Sequence, residues 1–295
     1  MICDICSAPM TSRVTGWTFY CNRCNHWQAD LAINLTSTKI HVDEVVNDDQ
    51  DEGLDFLWAV REKNFRVILD TIRKHNPALQ RVLDIGSATG QFLQQAKAAG
   101  FDVLGIEPNA RFVRNARKKG LDVVQGIFPE AIDADEKFDV IIFNDVLEHI
   151  PSAKQVLKSC LDHLNERGIL IINAPFSEGV FFRLAKLPIA AQMWDRLWQR
   201  HFYTPHVHYY SESSIAKLAA AIGCTATKPR RLDTLAHKGT WDRINLDPAL
   251  NMPKKLAIYG AVTVALPLIA LMPADARFAI LQKEAPRTGK NDKGL

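Results

Sequence analysis

Residues 81–92 read RVLDIGSATGQF. Val82, Leu83 and Ile85 make a short apolar run, Gly86-Ser87-Ala88-Thr89-Gly90 is a turn of small residues, and a helical pattern begins at Gln91. A buried strand that turns on small residues into a helix is built to hold a ligand. The small residues admit the ligand to the backbone, and the helix start offers unpaired N–H groups. The spacing is D-x-G-x-x-x-G rather than the G-x-G-x-x-G of dinucleotide binders, and the Lys-Ser/Thr of a phosphate loop is missing, so a pyrophosphate clamp is not indicated. Asp84 instead adds negative charge at the strand end, which suits a ligand carrying an ammonium group.

Outward from this unit the chain alternates. Strands are predicted at 81–85, 102–106, 121–124, 138–143 and 168–173, with helices near 89–99, 109–119 and 152–164, and a helix over 55–75 ends before Pro77. Such alternation predicts an α/β, Rossmann-like doubly wound fold, its mostly parallel sheet covered on both faces. Ligands bind such sheets at the carboxyl ends of the strands. Glu107 closes the second strand in VLGIEPN and is placed to accept hydrogen bonds from a ribose diol.

These motifs resemble those of the class I S-adenosylmethionine (SAM)-dependent methyltransferases, over roughly residues 55–230. VLDIGSATG is similar to their glycine-rich first motif, GIEPN to the acidic second motif, and FDVIIFNDVLEHIP to the fourth-strand motif, with GILIINAP after the next helix. The branch it looks most like includes the ubiquinone-biosynthesis O-methyltransferases, and HVHYYSESSIAKLAAAIG at 206–223 resembles that branch too. The resemblance implies SAM as cofactor, with Asp84, Gly86, Ala88, Gly90 and Glu107 around it. It puts Gly126 and Ile127 at the adenine and Asn144 beside the methionine part. Two departures stand out. Ala88 replaces the middle glycine of the common form, and alanine keeps the same turn only with a negative φ. Gly126-Ile127 lacks the Asp often found at the adenine position.

SAM carries its own activated methyl group, so the protein mainly has to align an acceptor with it. If the acceptor is a hydroxyl, His149, just after the fourth strand, is the candidate general base. Asp145, Glu148 and His149 also resemble a D/E-x-x-E-H arrangement that some methyltransferases use for Mg²⁺. The acceptor is expected to be a small molecule, a sugar or glycan, or a lipid-linked compound. Its specificity should lie in 176–210, as a lid or a helical insertion.

The N-terminal part is of another kind. Cys3-Asp-Ile-Cys6 and Cys21-Asn-Arg-Cys24 are two C-x-x-C knuckles flanking a strand-rich stretch with Gly16 at its turn. Cys3, Cys6, Cys21 and Cys24 are thus predicted to hold structural Zn²⁺ in a ribbon over 1–35. Seven acidic residues and no Lys or Arg lie between Ile40 and Val60, which predicts a solvated linker over 36–54. The methyltransferase domain is expected over 55–235, followed by a helical C-terminal extension over 236–295. There the uncharged stretch LAIYGAVTVALPLIALM at 256–272 is interrupted by Pro267, and it suggests a buried or interfacial hairpin with peripheral membrane contact rather than a bilayer-spanning helix.

Composition narrows the alternatives. With 47% apolar and 23% charged residues, the 295-residue chain has the makings of a well-packed core. A net charge of +3, a charge-balanced ribbon and an acidic linker argue against a nucleic-acid partner and against the rival reading of a zinc-ribbon rRNA methyltransferase. A non-catalytic SAM-binding scaffold is the other alternative. The N-terminal residues show no secretory leader, so a reducing, cytoplasmic setting is expected, with membrane association through 256–272.

Overall fold

In the computed structural model, residues 1–33, 58–187, 198, 200, 204–234, 240–241, 244–245 and 250–284 are described. The acidic linker and most of 188–203 lie outside them. The predicted alternation is observed as α1 (Trp58–His75), β4 (Arg81–Ile85), α2 (Gln91–Ala98), β5 (Asp102–Glu107), α3 (Ala110–Lys118), β6 (Val123–Gln125), β7 (Phe138–Asn144), α4 (Ala153–Asp162) and β8 (Leu164–Pro175). The strands before β4 are β1 (Thr11–Ser12), β2 (Thr18–Cys21) and β3 (His26–Ala29). After β8 come α5 (Val180–Ala185), β9 (His208–Tyr209), α6 (Glu212–Ala221), β10 (Cys224–Ala226), β11 (Arg230–Arg231), α7 (Met252–Leu271) and β12 (Ala276–Lys283).

The main sheet runs β10-β12-β8-β7-β4-β5-β6, with β11 also paired to β12. The pairs from β8 through β6 are parallel, and β12 is antiparallel to β8. Strand order reverses between β4 and β7, which makes the carboxyl edge there the ligand crevice. Alternate side chains of one strand serve opposite faces. Val140 and Ile142 of β7 pack with Phe65, Ile68, Phe92 and Val113, which come from α1, α2 and α3. Ile141 and Phe143 pack with Leu157, Cys160, Ile215 and Leu218 from α4 and α6. Both faces of a parallel sheet are thereby covered, which is why its strands read as continuous apolar runs.

Local chemistry fixes the helix starts. Asn109 caps α3 by accepting from Arg111 N and Phe112 N, and Ser211 with Ser214 forms a capping box at α6. At α5, the buried Asp275 accepts hydrogen bonds from Phe181 N (2.9 Å) and Phe182 N (3.3 Å).

Two expectations change. The boundary at 235 does not close the domain. β12 sits between β8 and β10, with Phe278, Ala279 and Leu281 fully buried, so what was read as extension supplies a strand of the core sheet. Its apolar stretch FAIL is short, and the polar residues and α7 separate it from the rest of the pattern. The ribbon is likewise no separate bead. β3 pairs with β9 of the methyltransferase unit, giving a second sheet of order β1-β2-β3-β9. Trp27 of the ribbon shares a cluster with Phe182, Ala185, Trp198 and Tyr209.

Because β12 completes the sheet, a chain ending at residue 235 should fail to fold, exposing the unpaired edges of β8 and β10. Phe278→Ala in the full chain should cost about 3–5 kcal/mol. Circular dichroism and denaturant melts check both. A folded, monodisperse truncation would show that β12 is dispensable.

Candidate functional site

The turn between β4 and α2 is strongly wound. Gly86 and Gly90 have φ of 76° and 79°, and Ala88 has φ of 47°. The expectation of a negative φ at Ala88 is therefore corrected: the alanine takes the left-handed conformation. That costs roughly 1–2 kcal/mol for an L-residue. What holds it there is Glu107 at the end of the neighbouring strand, whose Oε2 accepts from Ala88 N at 2.9 Å. Glu107 Oε1 accepts from Asn109 N at 2.8 Å. One carboxylate thus joins the turn, the end of β5 and the cap of α3. Burial raises its pKa, and these two amide hydrogen bonds partly offset the rise.

Asp84, 2% exposed, stands at the end of β4. Asn144 Nδ2 donates to its Oδ1 at 3.1 Å, and Asn173 Nδ2 reaches Asn144 Oδ1 at 3.5 Å. Burial pushes the Asp84 carboxyl up to about 8, the Asn144 hydrogen bond works against this, and the Glu107 charge adds to it. A carboxyl so placed ionises readily only when a cation joins it. Gly126 follows β6 and donates its N–H to Glu107 O (3.2 Å), and the neighbouring Ile127 is exposed. Asp84, Gly86, Ala88, Gly90, Glu107, Gly126, Ile127 and Asn144 all follow or close β4, β5, β6 and β7 at the carboxyl edge.

A second group of residues lies beyond β7. Asp145 has φ of 55° and donates its N–H to Asn173 O (2.9 Å), and a single 3-10 turn spans Leu147–His149. His149 Nδ1–H donates to Pro205 O at 3.1 Å, which leaves Nε2 with the lone pair. Burial lowers the pKa of His149, so its ring is neutral near neutral pH. Glu148 is 1% exposed. Its Oε1 lies 3.9 Å from His206 Nε2, and its Oε2 has no hydrogen-bond partner. Burial and the nearby Asp145 charge raise its pKa well above the usual carboxylate range. Glu148, His149 and His206 each place one ligand atom within 4.8 Å of the others. His206 was not among the residues expected at the site. It stands in PHVHYY, and nothing local in that stretch shows that it meets Glu148.

The segment 205–211 is clasped on both sides. Toward the site, Val207 N–H donates to Glu148 O (2.8 Å) and His208 Nε2–H to Pro151 O (3.2 Å). Toward the ribbon, Ala29 N–H donates to Val207 O (3.0 Å), His26 Nε2–H to His208 Nδ1 (3.0 Å) and Ser211 Oγ–H to Asn25 O (2.6 Å). Lys154 N–H, at the start of α4, donates to Asp4 Oδ2 (2.9 Å).

In the ribbon the four sulfurs of Cys3, Cys6, Cys21 and Cys24 lie within 4.8 Å of one another, and none is in a disulfide. Cys6 Sγ and Cys21 Sγ are 3.6 Å apart. Tetrahedral Zn–S bonds of about 2.3 Å place sulfurs about 3.8 Å apart, so the thiols fit that ion. Each knuckle turns on a left-handed residue after its second cysteine, Ser7 at φ 57° and Asn25 at φ 54°. Cys160 and Cys224 are buried in the sheet unit.

Comparison with known proteins agrees with this architecture. The ubiquinone biosynthesis O-methyltransferase of Azorhizobium caulinodans is 28% identical over 140 residues, 42% of this chain and 53% of the relative. That of Glaesserella parasuis is 30% identical over 105 residues, 32% and 44% respectively. The chain thus spans about half the length of the curated relatives it matches. Among solved structures, the fold is similar to the Haloferax volcanii complex between the Trm112 methyltransferase activator and a methyltransferase (TM-score 0.55, 13% identity, covering 84% of this chain and 100% of that one). It is also similar to magnesium protoporphyrin IX methyltransferase of Synechocystis PCC 6803 with bound SAH (TM-score 0.50, 13% identity, 82% and 92%). A family model described as a methyltransferase domain matches residues 57–228, more than half of the chain. With the parallel sheet and the glycine-rich turn at its carboxyl edge, this places the chain in the class I SAM-dependent methyltransferase family.

Proposed function

We propose that the chain transfers the methyl group of SAM to an oxygen of a small organic acceptor. The observation that carries this reading is the pair of buried carboxyls at adjacent strand ends. Asp84 is buried with one hydrogen bond, from Asn144, and a cation would offset its charge; each Glu107 oxygen accepts one amide hydrogen bond and keeps a lone pair for a hydroxyl. SAM supplies the activated methyl group when bound. Asp84 with Asn144 would hold its ammonium end, Glu107 its ribose, and the Gly126-Ile127 stretch its adenine. The residues after β7 would face the acceptor side, where the methyl group would leave the sulfonium sulfur for the acceptor oxygen, and His149 Nε2 would take up the proton of that hydroxyl. The name shared by the curated relatives supports an O-methyl product, and their partial coverage leaves glycan and lipid-linked acceptors within the same proposal. Incubation with labelled SAM and separate small-molecule, lipid and RNA fractions tests the acceptor class. Label in RNA alone would overturn it.

One observation favours a second reading of the same corner. Glu148 Oε2 is buried without a partner, and His149 and His206 converge on that carboxylate. Two imidazoles and a carboxylate suit Zn²⁺ or another transition ion better than the Mg²⁺ suggested by Asp145, Glu148 and His149 alone. Such an ion would act as a Lewis acid on the acceptor oxygen.

The ribbon is proposed to hold structural Zn²⁺ through Cys3, Cys6, Cys21 and Cys24, and so to keep 205–211 against the Leu147–Pro151 stretch.

Asp84 gives a prediction with a sign. Its carboxyl is raised to about 8 in the free protein. An ammonium group favours the ionised form, so SAM binding at neutral pH should release a proton. Affinity should then rise with pH until the free carboxyl is ionised, near 8. Calorimetric titration in buffers of different ionisation enthalpy measures that release, and Asp84→Asn should abolish it. Buffer-independent heats would remove Asp84 from the ammonium site.

Zinc analysis should find one ion per chain, lost in Cys21→Ser. Methyl transfer in that variant should fall while SAM affinity stays near the parent's, because the ribbon's described hydrogen bonds run to 205–211, α4 and α6 rather than to the β4 turn. Equal loss of SAM affinity would contradict this division.

His149→Ala should retain fold and SAM binding while losing about 10²–10⁴-fold in rate. A rate unchanged from the parent removes the base assignment. Activity that collapses with EDTA in Cys21→Ser, where the ribbon metal is already absent, and returns with a transition metal favours the Glu148-His149-His206 metal reading.

A further inference from the structure

Where a hairpin is predicted, α7 runs unbroken through Pro267. Among the described residues Trp241 packs on its Tyr259 (ring centroids 5.4 Å apart), while most of its apolar surface is uncovered. From Leu256 to Met272 it carries no charged residue, yet it lies on the outside of the molecule. Val264 is 81% exposed, Leu268 59% and Leu271 85%, and Leu266 is its buried residue. A core helix of this composition is mostly buried, whereas here every residue of the apolar window but Leu266 is at least partly open. The exposed residues also do not form one stripe. At 100° per residue, Leu256, Ile258 and Val264 point in widely different directions, so a groove on a partner protein would cover some of them and leave others in water. A solvent that is apolar on every side is the hydrocarbon of a lipid bilayer.

The charges at the helix ends select the kind of bilayer. Lys254 and Lys255 stand in its first turn, with no acidic residue anywhere in it. Arg231 reaches the other end, donating to Met272 O at 3.1 Å. Cations at both ends of an apolar rod match anionic headgroups. The patch continues beyond the helix. Val180 N–H donates to Pro273 O (3.2 Å), which seats α5 beside the end of α7, and Leu184 and Leu187 there are exposed next to Arg183 and Lys186.

Topology decides how the helix meets the membrane. Its length of about 30 Å equals a bilayer core. However, the chain enters and leaves this insertion at one place on the sheet. Arg231 pairs with Arg277, and Leu232 N–H donates to Ala276 O (2.9 Å). Asp233 is further fixed by Asn64 Oδ1, which accepts from its N–H (2.9 Å). Residues 232 and 276 are therefore on the same side of any bilayer. One crossing would need a second to return. The connecting residues 233–251 contain Asp233, Lys238, Asp242, Arg243 and Asp247, so they offer no second apolar span.

We propose that α7 is an in-plane membrane anchor that embeds in an anionic lipid surface without crossing it, with α5 at its border. Since α5 follows β8 at the carboxyl edge, the anchor would hold the acceptor side toward the lipid. That orientation, but not the anchor itself, rests on the methyltransferase reading.

The test uses the full chain with sealed vesicles of phosphatidylcholine, alone or mixed with phosphatidylglycerol. The protein should sediment with the mixed vesicles, less with phosphatidylcholine alone, and less in high salt. The variant Val264→Glu/Leu268→Glu/Leu271→Glu changes exposed positions only. It should stay in the supernatant with unchanged circular dichroism and SAM affinity, so loss of the lipid surface is distinguished from loss of the cofactor site. Introduced at exposed ends, Met252→Cys and Met272→Cys should both react, above the parent's background, with a membrane-impermeant maleimide added outside intact vesicles. Protection of Met252→Cys until detergent is added would overturn the in-plane placement. A parent protein that ignores both kinds of vesicle, or one that forms a dimer which the triple variant dissolves, would overturn the membrane itself, the latter in favour of a second copy as occupant.

Discussion

The two amide hydrogen bonds accepted by Glu107 are the constraint around which the carboxyl edge proposed to bind SAM is arranged. A hydrogen bond to a carboxylate is worth about 1.5–3 kcal/mol, comparable to the cost of a left-handed alanine. With Ala88 N–H held on one oxygen and Asn109 N–H on the other, the β4 turn, the end of β5 and the start of α3 become one unit. Asn109 in turn caps α3, and the Gly126 N–H bonds to Glu107 O, so the stretch assigned to the adenine is tied to the same residue. A single residue at a strand end thereby ties together the β4 turn, the end of β5, the cap of α3 and the residue after β6.

The side proposed to receive the acceptor is built differently. It depends on a segment, 205–211, that has very little regular structure of its own: β9 is two residues long. That segment is ordered by being held between two bodies, the Leu147–Pro151 stretch after β7 and the ribbon strand β3. The buried pair His26 and His208 sits at this junction, with His208 bonded to a carbonyl on one side and to His26 on the other. The aromatic cluster of Trp27, Phe182, Trp198 and Tyr209 closes the same junction with apolar surface. A ribbon of this size buries little core by itself, and a bound metal is the usual remedy. Here it also gains stability by donating that surface to the neighbouring unit.

α7 interrupts the sheet's last hairpin, between β11 and β12, and the interruption costs the sheet little because both strands still pair. Loop-closure entropy grows slowly with length, so a long insertion between paired strands is tolerated. Its apolar surface is a different matter, since the described core of this chain leaves most of it exposed.

Much of this was legible in the sequence. The parallel strands announced themselves because burial on both faces demands continuous apolar runs, and the turn between β4 and α2 because only small residues allow it. The cysteine knuckles were legible through spacing alone, since both ends of a C-x-x-C reach one point. Other features were set by contacts between residues far apart in the chain. β12 has a short apolar pattern that gains its meaning only in the gap between β8 and β10. Ala88 adopts a positive φ because Glu107, nineteen residues away, holds its amide. His206 meets Glu148 and His149 because the ribbon presses its segment against them. The sequence by itself determined the elements and the residue types at the cleft, because periodicity and turn chemistry are local. The tertiary structure alone decided which carboxylate braces which turn, where the last strand enters, and that α7 begins and ends on one side of the sheet, because each depends on pairings that no local pattern encodes.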